Sequence, residues 1–324
     1  MCKYALKHSV FFLEAAPSFS FYCPFRAPVK CAMMKGEWKR SVKHVKQPRN
    51  PRRLVVKVGT STLTRETGSL NLQNMEHLAR VLADLEGMGY QPVLVSSGAI
   101  GIGTKKLRLG ERPTELRMKQ AAAAVGQCRM MHIYDKLFAE YNRTVAQILL
   151  TGEDVESPVR SEHLHNTFEA LLELGVIPVV NENDSVSSAE IETGQCKVLG
   201  DNDTLSAIVA RLCGAGLLVL FSDIDGLYDA DPRTHPDARL IHQVEAITPE
   251  LRAMAGGAGT WRGTGGMATK VEGAKLATGA GVPVVICSSR EENGILPSFV
   301  TPSVRFAISL PNSFAISSYV YEVS

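Results

Sequence analysis

From residue 54 onward, short apolar runs alternate with longer stretches of helical pattern, and this alternation constrains the fold more than any other feature of the chain. The apolar runs cover residues 54–58, 92–95, 145–149, 176–180, 217–221 and 282–286, and the helical stretches cover 74–88, 114–141, 162–174, 203–213 and 269–278. Strands separated in this way build a parallel sheet covered by helices on both faces. The run from Leu217 to Phe221 is apolar at every position, with no polar alternation, as expected of a strand buried on both sides. The expected fold class is therefore α/β: a doubly wound, mainly parallel sheet sandwiched by helices in three αβα layers. In such sheets ligands bind beyond the carboxyl ends of the strands, so the residues that follow each apolar run are the candidates for function.

Charge is distributed unevenly around this body. Residues 1–53 hold 12 Lys or Arg against 2 acidic residues, and the remaining 271 hold 23 against 31. Residues 1–52 lack sustained periodicity and read as an unstructured basic extension. The acidic body argues against broad nucleic-acid binding, which needs a basic face to neutralise phosphates. Seven cysteines, at 2, 23, 31, 128, 196, 213 and 287, lack the paired short spacing of zinc ligands, and their odd number is unlike a disulfide framework. With no apolar run reaching about 18 residues, neither a membrane partner nor a secretory route is expected, and the setting reads as cytoplasmic.

The candidate chemistry lies at the strand ends. Residues 181–184 (Asn-Glu-Asn-Asp) and 200–203 (Gly-Asp-Asn-Asp) alternate carboxylates with carboxamides. Asp only accepts hydrogen bonds whereas Asn also donates, which suits a ligand with both an ammonium and a carboxylate, such as an amino acid. Taken one at a time, each box reads equally as an Asx-rich turn. Lys57 ends the first strand ahead of Gly59, Thr60 and Ser61, where a fixed ammonium and close-approaching amides suit phosphate. Ser97, Gly98 and Ala99 form a second small-residue turn, with backbone donors suited to an anion. Residues 263–270 form a Gly-rich element ending in Lys270, expected as an exposed, mobile loop over nucleotide phosphates. It is not a Walker A loop, and no dinucleotide fingerprint follows the first strand. Lysines from two separate loops fit phosphoryl transfer, in which the protein positions reactants and stabilises charge. Asp203, held by Asp201 and Asn202, is placed to orient the lysines or a metal. Residues 223–232 superficially resemble a calcium loop but lack its closing Glu and preceding helix; they read as a nucleotide-side loop.

Taken together and in order, the segments 55–61, 95–100, 121–127, 178–184, 200–207, 222–232 and 263–270 closely resemble the glutamate 5-kinases of the amino-acid kinase superfamily, over about residues 54–290. The resemblance implies the amino-acid kinase fold and transfer of the ATP γ-phosphoryl group to the side-chain carboxylate of L-glutamate, the first step of proline biosynthesis. Magnesium would accompany ATP, with no metal ligand from the protein. Lys57, Asp203 and Lys270 match the family's catalytic positions, and Ser97, Gly98, Asp184 and Asn202 its substrate positions. Lys57, Ser222, Asp223, Gly265, Gly266, Met267, Ala268, Thr269 and Lys270 match the nucleotide positions, with Ser222 replacing a usual Thr. A homo-oligomer and L-proline as feedback inhibitor are also implied. The kinase domain is expected over 53–296. Residues 297–324 match neither the family's closing strand nor the PUA domain of many members, so an atypical tail and a body without its edge strand are expected. Two alternatives stay open: another amino-acid kinase, such as acetylglutamate or uridylate kinase, and a non-catalytic glutamate- or proline-binding protein. The two Asn/Asp boxes weigh against the first, and retention of Lys57, Asp203 and Lys270 against the second.

Overall fold

The computed structural model describes residues 49–65, 68–186, 199, 201–224, 226–255 and 266–288, and the backbone of 307–308. The chain forms β1 (Asn50–Lys57), α1 (Thr60–Leu63), α2 (Leu72–Gly87), β2 (Gln91–Val95), α3 (Ala99–Lys106), α4 (Leu116–Ala139), β3 (Val145–Leu150), α5 (Gly152–Glu156), α6 (Pro158–Glu173) and β4 (Ile177–Glu182). It continues through α7 (Asn202–Leu212), β5 (Ala215–Ser222), β6 (Leu227–Tyr228), β7 (Leu240–Ile241), β8 (Gln243–Val244), α8 (Pro249–Ala255), α9 (Met267–Gly279), β9 (Val284–Ser288) and β10 (Ala307–Ile308).

The main sheet has the order β3-β4-β2-β1-β5-β9-β10-β8, and every pairing from β3 to β9 is parallel. Helix-length crossovers leave no other option for most neighbours, because a parallel pair cannot be closed by a tight hairpin. The register aligns the carboxyl ends: Lys57 lies beside Val95 of β2 and Leu220 of β5, and Val95 lies beside Val180 of β4. Beyond β5, the short strands β6 and β7 pair antiparallel as a separate ribbon.

Successive residues of β1 serve two different cores. Leu54 and Val56 pack on one face with Leu78, Leu82, Met130, Tyr134 and Phe138 of α2 and α4. Val55 packs on the other with Phe168 of α6, Leu205 and Val209 of α7, and Ala274 of α9. A strand's side chains alternate faces, so burial on both removes any polar alternation. Each fully buried Val or Leu contributes about 1.5–3 kcal/mol by removal from water. Among the described residues no helix is long and apolar enough to cross a membrane.

Two boundary expectations change. The first strand begins at Asn50 rather than 54: the Asn50 amide donates to the carbonyl of Gly214 at 3.0 Å, and its side chain donates to Gln91 at 2.9 Å. Arg53, the last of the basic run, is buried rather than solvated. Its guanidinium forms an ion pair with Glu169 of α6 and donates to Gln91 Oε1 at 3.0 Å and to the carbonyl of Cys213. The remainder of the basic extension, up to residue 48, lies outside the described residues. At the other end, β10 pairs antiparallel with β9 and parallel with β8, although residues 297–324 match no closing strand. Backbone amides pair along a sheet edge whatever side chains they carry, so the motif comparison had nothing to detect.

Candidate active site

The carboxyl edge of the sheet is centred on β1. Lys57 is the last residue of that strand, and its ammonium lies 2.6 Å from Asp203 Oδ1. Asp203 sits in the first turn of α7 and is fully buried. That helix starts there because Asp201 caps it, accepting from the amides of Asp203 at 2.8 Å and Thr204 at 2.9 Å. From the opposite side comes the first turn of α9, where Lys270 Nζ lies 3.3 Å from Asp203 Oδ2 and the Thr269 hydroxyl donates to the same oxygen at 2.8 Å. Both carboxylate oxygens are therefore engaged.

This cluster carries two ammonium groups against one carboxylate, all buried. Burial by itself would raise the Asp203 pKa, but Lys57 and Lys270 outweigh it and hold the carboxyl below its usual range. Burial lowers the Lys57 pKa, and repulsion from Lys270 adds to this against the attraction of Asp203. A buried group with one excess positive charge favours an anion, and the charge is stabilised most if the anion is a phosphate that both lysines can reach.

On the β2 and β4 side of Lys57 lie the residues expected to hold an amino acid. The Ser97 hydroxyl donates to the Val58 carbonyl at 2.9 Å, tying the ends of β1 and β2 together. Gly98 begins α3 with φ 93°, a left-handed conformation that disfavours a side chain. Asn202 donates to the Ser96 carbonyl at 3.1 Å and lies 3.4 Å from Asn181 Oδ1, and Asn181 in turn donates to Gln127 Oε1 at 3.0 Å. Asp184 follows in the turn after β4, half-buried. On the β5 side lie the expected nucleotide residues. Ser222 ends β5 with Asp223 after it; the Ser222 hydroxyl lies 3.4 Å from Asp223 Oδ1, and Arg233 donates to Asp223 Oδ2 at 2.9 Å. Gly266 caps α9, and Met267, Ala268, Thr269 and Lys270 form its first turn. Gly265 lies outside the described residues.

The sequence reading therefore needs correction at two points. Lys270 is only 6% exposed and helical, not part of an exposed loop, because its charge is held by buried Asp203. Asn202 does not hold the Asp203 side chain; it turns toward Ser96 and Asn181, while Asp201 secures Asp203 through its backbone amide. Sequence reasoning gave no individual role to Gln127, Asn181 or Arg233. Asn181 stood inside an Asn/Asp box and Gln127 at the end of the family-matching segment 121–127, whereas Arg233 carries no local signal, since it acquires its partner only through the fold.

Comparison with known proteins places residues 52–288 in a match to the family model described as the amino acid kinase family. The chain is 53% identical to the glutamate 5-kinase of Clostridium perfringens over 240 residues, covering 74% of this chain and 88% of that protein. It is 57% identical to the glutamate 5-kinase of Clostridium tetani over 233 residues, covering 72% and 85% respectively. Among solved structures, the UMP kinase of Bacillus anthracis matches with a TM-score of 0.56 at 16% identity, covering 81% of this chain and 98% of the other, a likeness of fold alone.

Proposed function

The chain belongs to the amino acid kinase family and, within it, to the glutamate 5-kinases, and from this membership we infer that it transfers the γ-phosphoryl group of ATP to the side-chain carboxylate of L-glutamate, giving L-glutamyl 5-phosphate and ADP. The observation that carries this reading is the pair of lysines bridged by buried Asp203 at the end of β1. They lie between strand ends that carry amide and hydroxyl groups on one side and Ser222, Asp223 and α9 on the other.

In this reading the γ-carboxylate of glutamate meets the γ-phosphate in line at the lysine pair. The acceptor is already ionised near neutral pH, because a glutamate side chain has a pKa of about 4.3, so no general base is needed. What the protein must supply is charge stabilisation and positioning. Lys57 and Lys270 meet the charge on the transferring group, and Asp203 acts as a positioning residue that holds both ammonium groups at fixed places. Ser97, Gly98, Asp184 and Asn202 hold the amino acid. The first turn of α9 offers free amides to the phosphates, and Ser222 and Asp223 meet the nucleotide. Magnesium would enter on the phosphate oxygens of ATP and offset part of their charge. Both oxygens of Asp203 already serve the lysines, so the metal fits there as a companion of the nucleotide rather than a resident of the protein. A cytoplasmic setting, a homo-oligomer and feedback inhibition by L-proline belong to the same reading and rest on family membership.

The test is direct. Purified protein with ATP, magnesium, L-glutamate and hydroxylamine should form the γ-glutamyl hydroxamate, with aspartate and N-acetylglutamate giving little product. Folded protein that yields no glutamate-dependent hydroxamate would refute the assignment.

A further inference from the structure

The buried amide relay beside the lysine pair has a fixed direction, and that direction leaves one donor over. The Ser96 carbonyl can only accept, so the group of Asn202 that faces it must be the NH2. The same NH2 faces Asn181, which must present its oxygen, and so its own NH2 points to Gln127, which must present Oε1. The relay therefore ends on Gln127 Nε2. Gln127 is 93% buried, and among the described residues this nitrogen has no hydrogen-bond partner. A buried donor left unpaired is costly, and so calls for an acceptor beyond the described residues.

Its setting suggests the acceptor. Asn181 lies at the end of β4, two strands from Lys57 across the aligned carboxyl edge, or about 10 Å at 4.8 Å per strand. Gln127 is brought there by α4, which packs backbone to backbone on α3: a Cβ on neighbouring Gly126 would lie 1.8 Å from the Ala99 carbonyl oxygen. An extended five-carbon dicarboxylate with one end at Lys57 would direct its other end toward β4. We propose that Gln127 is a specificity-determining residue, its Nε2 donating to the α-carboxylate of the amino-acid substrate, with Asn202 and Asn181 holding it in the donating orientation. This proposal rests on the phosphorylation reading above for the placement of the substrate.

Two substitutions and one measurement on the unaltered chain test it. Gln127→Glu keeps the acceptor that faces Asn181 but replaces the donor with an anion, and Gln127→Met removes both. Each should raise KM for L-glutamate about 10- to 100-fold, the loss of one hydrogen bond to a charged acceptor. The KM for ATP should stay within about twofold and kcat within about threefold, whereas a merely structural role would reduce both substrates' parameters together. Either variant, folded and with an unchanged KM for L-glutamate, would overturn the proposal. Should both fail to fold, the side-chain amide resonances of Gln127 in the unaltered protein decide: they should shift on saturation with L-glutamate, and an unmoved pair would overturn it. If the resonances shift and the protein forms no hydroxamate, the phosphorylation reading falls while the contact stands.

Discussion

Replacing Gly273 with alanine separates positioning from stability, because this glycine of α9 packs directly against the backbone of Asp203 in α7. A Cβ there would lie 2.9 Å from the backbone oxygen of Asp203 and 3.0 Å from its carbonyl carbon, where ordinary contact begins at 3.4 Å. One helix must yield by about half an ångström, and the obstacle is backbone, with no rotamer to move aside. Overpacking of this kind costs about 1–3 kcal/mol. The gain in helix propensity from Gly to Ala offsets about 1 kcal/mol of it, leaving about 0–2 kcal/mol. At roughly 2–4 °C per kcal/mol for a domain of this size, Tm should fall by no more than about 8 °C. Turnover should suffer more. Lys270 lies one turn before Gly273 on the same helix, and pushing that helix off α7 draws its ammonium away from the Asp203 carboxylate, now 3.3 Å distant. Because a 1 Å misplacement can cost about 100-fold, half of that should lower kcat about tenfold. Hydroxamate formation at saturating substrates, measured beside thermal unfolding, checks both numbers. Gly279→Ala, at a position with nothing within 4 Å of the added atom, serves as the control and should leave kcat alone. A Gly273→Ala protein with normal kcat would refute the claim that the α7–α9 spacing sets the lysine geometry.

Other expectations follow from the same contacts. Arg53→Met should destabilise the fold by about 1–3 kcal/mol in urea unfolding, because it leaves the Cys213 carbonyl and Gln91 without their guanidinium partner while part-exposed Glu169 returns to water, yet leave kcat and both KM values unchanged; Arg53 lies four residues, or about 13 Å, before Lys57 along β1. The lowered pKa of Lys57 predicts that kcat declines with rising pH before the 10.5 of an ordinary lysine is reached. Across that window the folded state binds fewer protons than the unfolded, so the Lys57 contribution to stability rises with pH while activity falls; kcat and urea midpoints measured from pH 7 to 10.5 would test the divergence. Asp203 acts with the same sign at the acid end: its stabilising contribution is complete above 3.8 and is lost as pH falls through its lowered folded-state value. Finally, maleimide at pH 8 should modify exposed Cys128 and spare Cys213 until the protein is unfolded, since burial pushes the Cys213 thiol up to about 12. Peptide mapping of the native, labelled protein would expose an error if Cys213 carried the label.

Where sequence reasoning misplaced residues, the cause was a partner too far along the chain to be visible. Arg53 looked like the end of a solvated basic run because five of the seven residues before it are polar or basic and none is acidic. Its acidic partner is Glu169, more than a hundred residues later, on a helix that packs against β4 and α7. Lys270 looked exposed because it ends a glycine-rich stretch, and glycine clusters usually mark solvent-facing loops. Asp203 draws it inward, and this attraction has no trace in the local composition. The closing pair of residues at Ala307–Ile308 escaped notice for a different reason, since edge pairing is made by backbone groups that every residue carries.

The layers follow from local pattern alone. Unbroken apolar runs at strand length, separated by helix-length segments, leave little alternative to a parallel sheet buried on both faces, because periodicity and burial are tied residue by residue. The same pattern also marked which residues stand at strand ends, and so set Lys57, Ser97 and Ser222 on one edge. Which side chains meet along that edge depends instead on how distant segments pack. Strand order places β1 between β2 and β5, and the crossing of α7 with α9 brings Lys57 and Lys270, 213 positions apart, onto the two oxygens of one carboxylate. The same packing turns Asn202 away from Asp203 and aligns Gln127 at the end of an amide relay. Pairing of charges and amides depends on distances of a few ångströms between distant segments, which a local pattern does not encode.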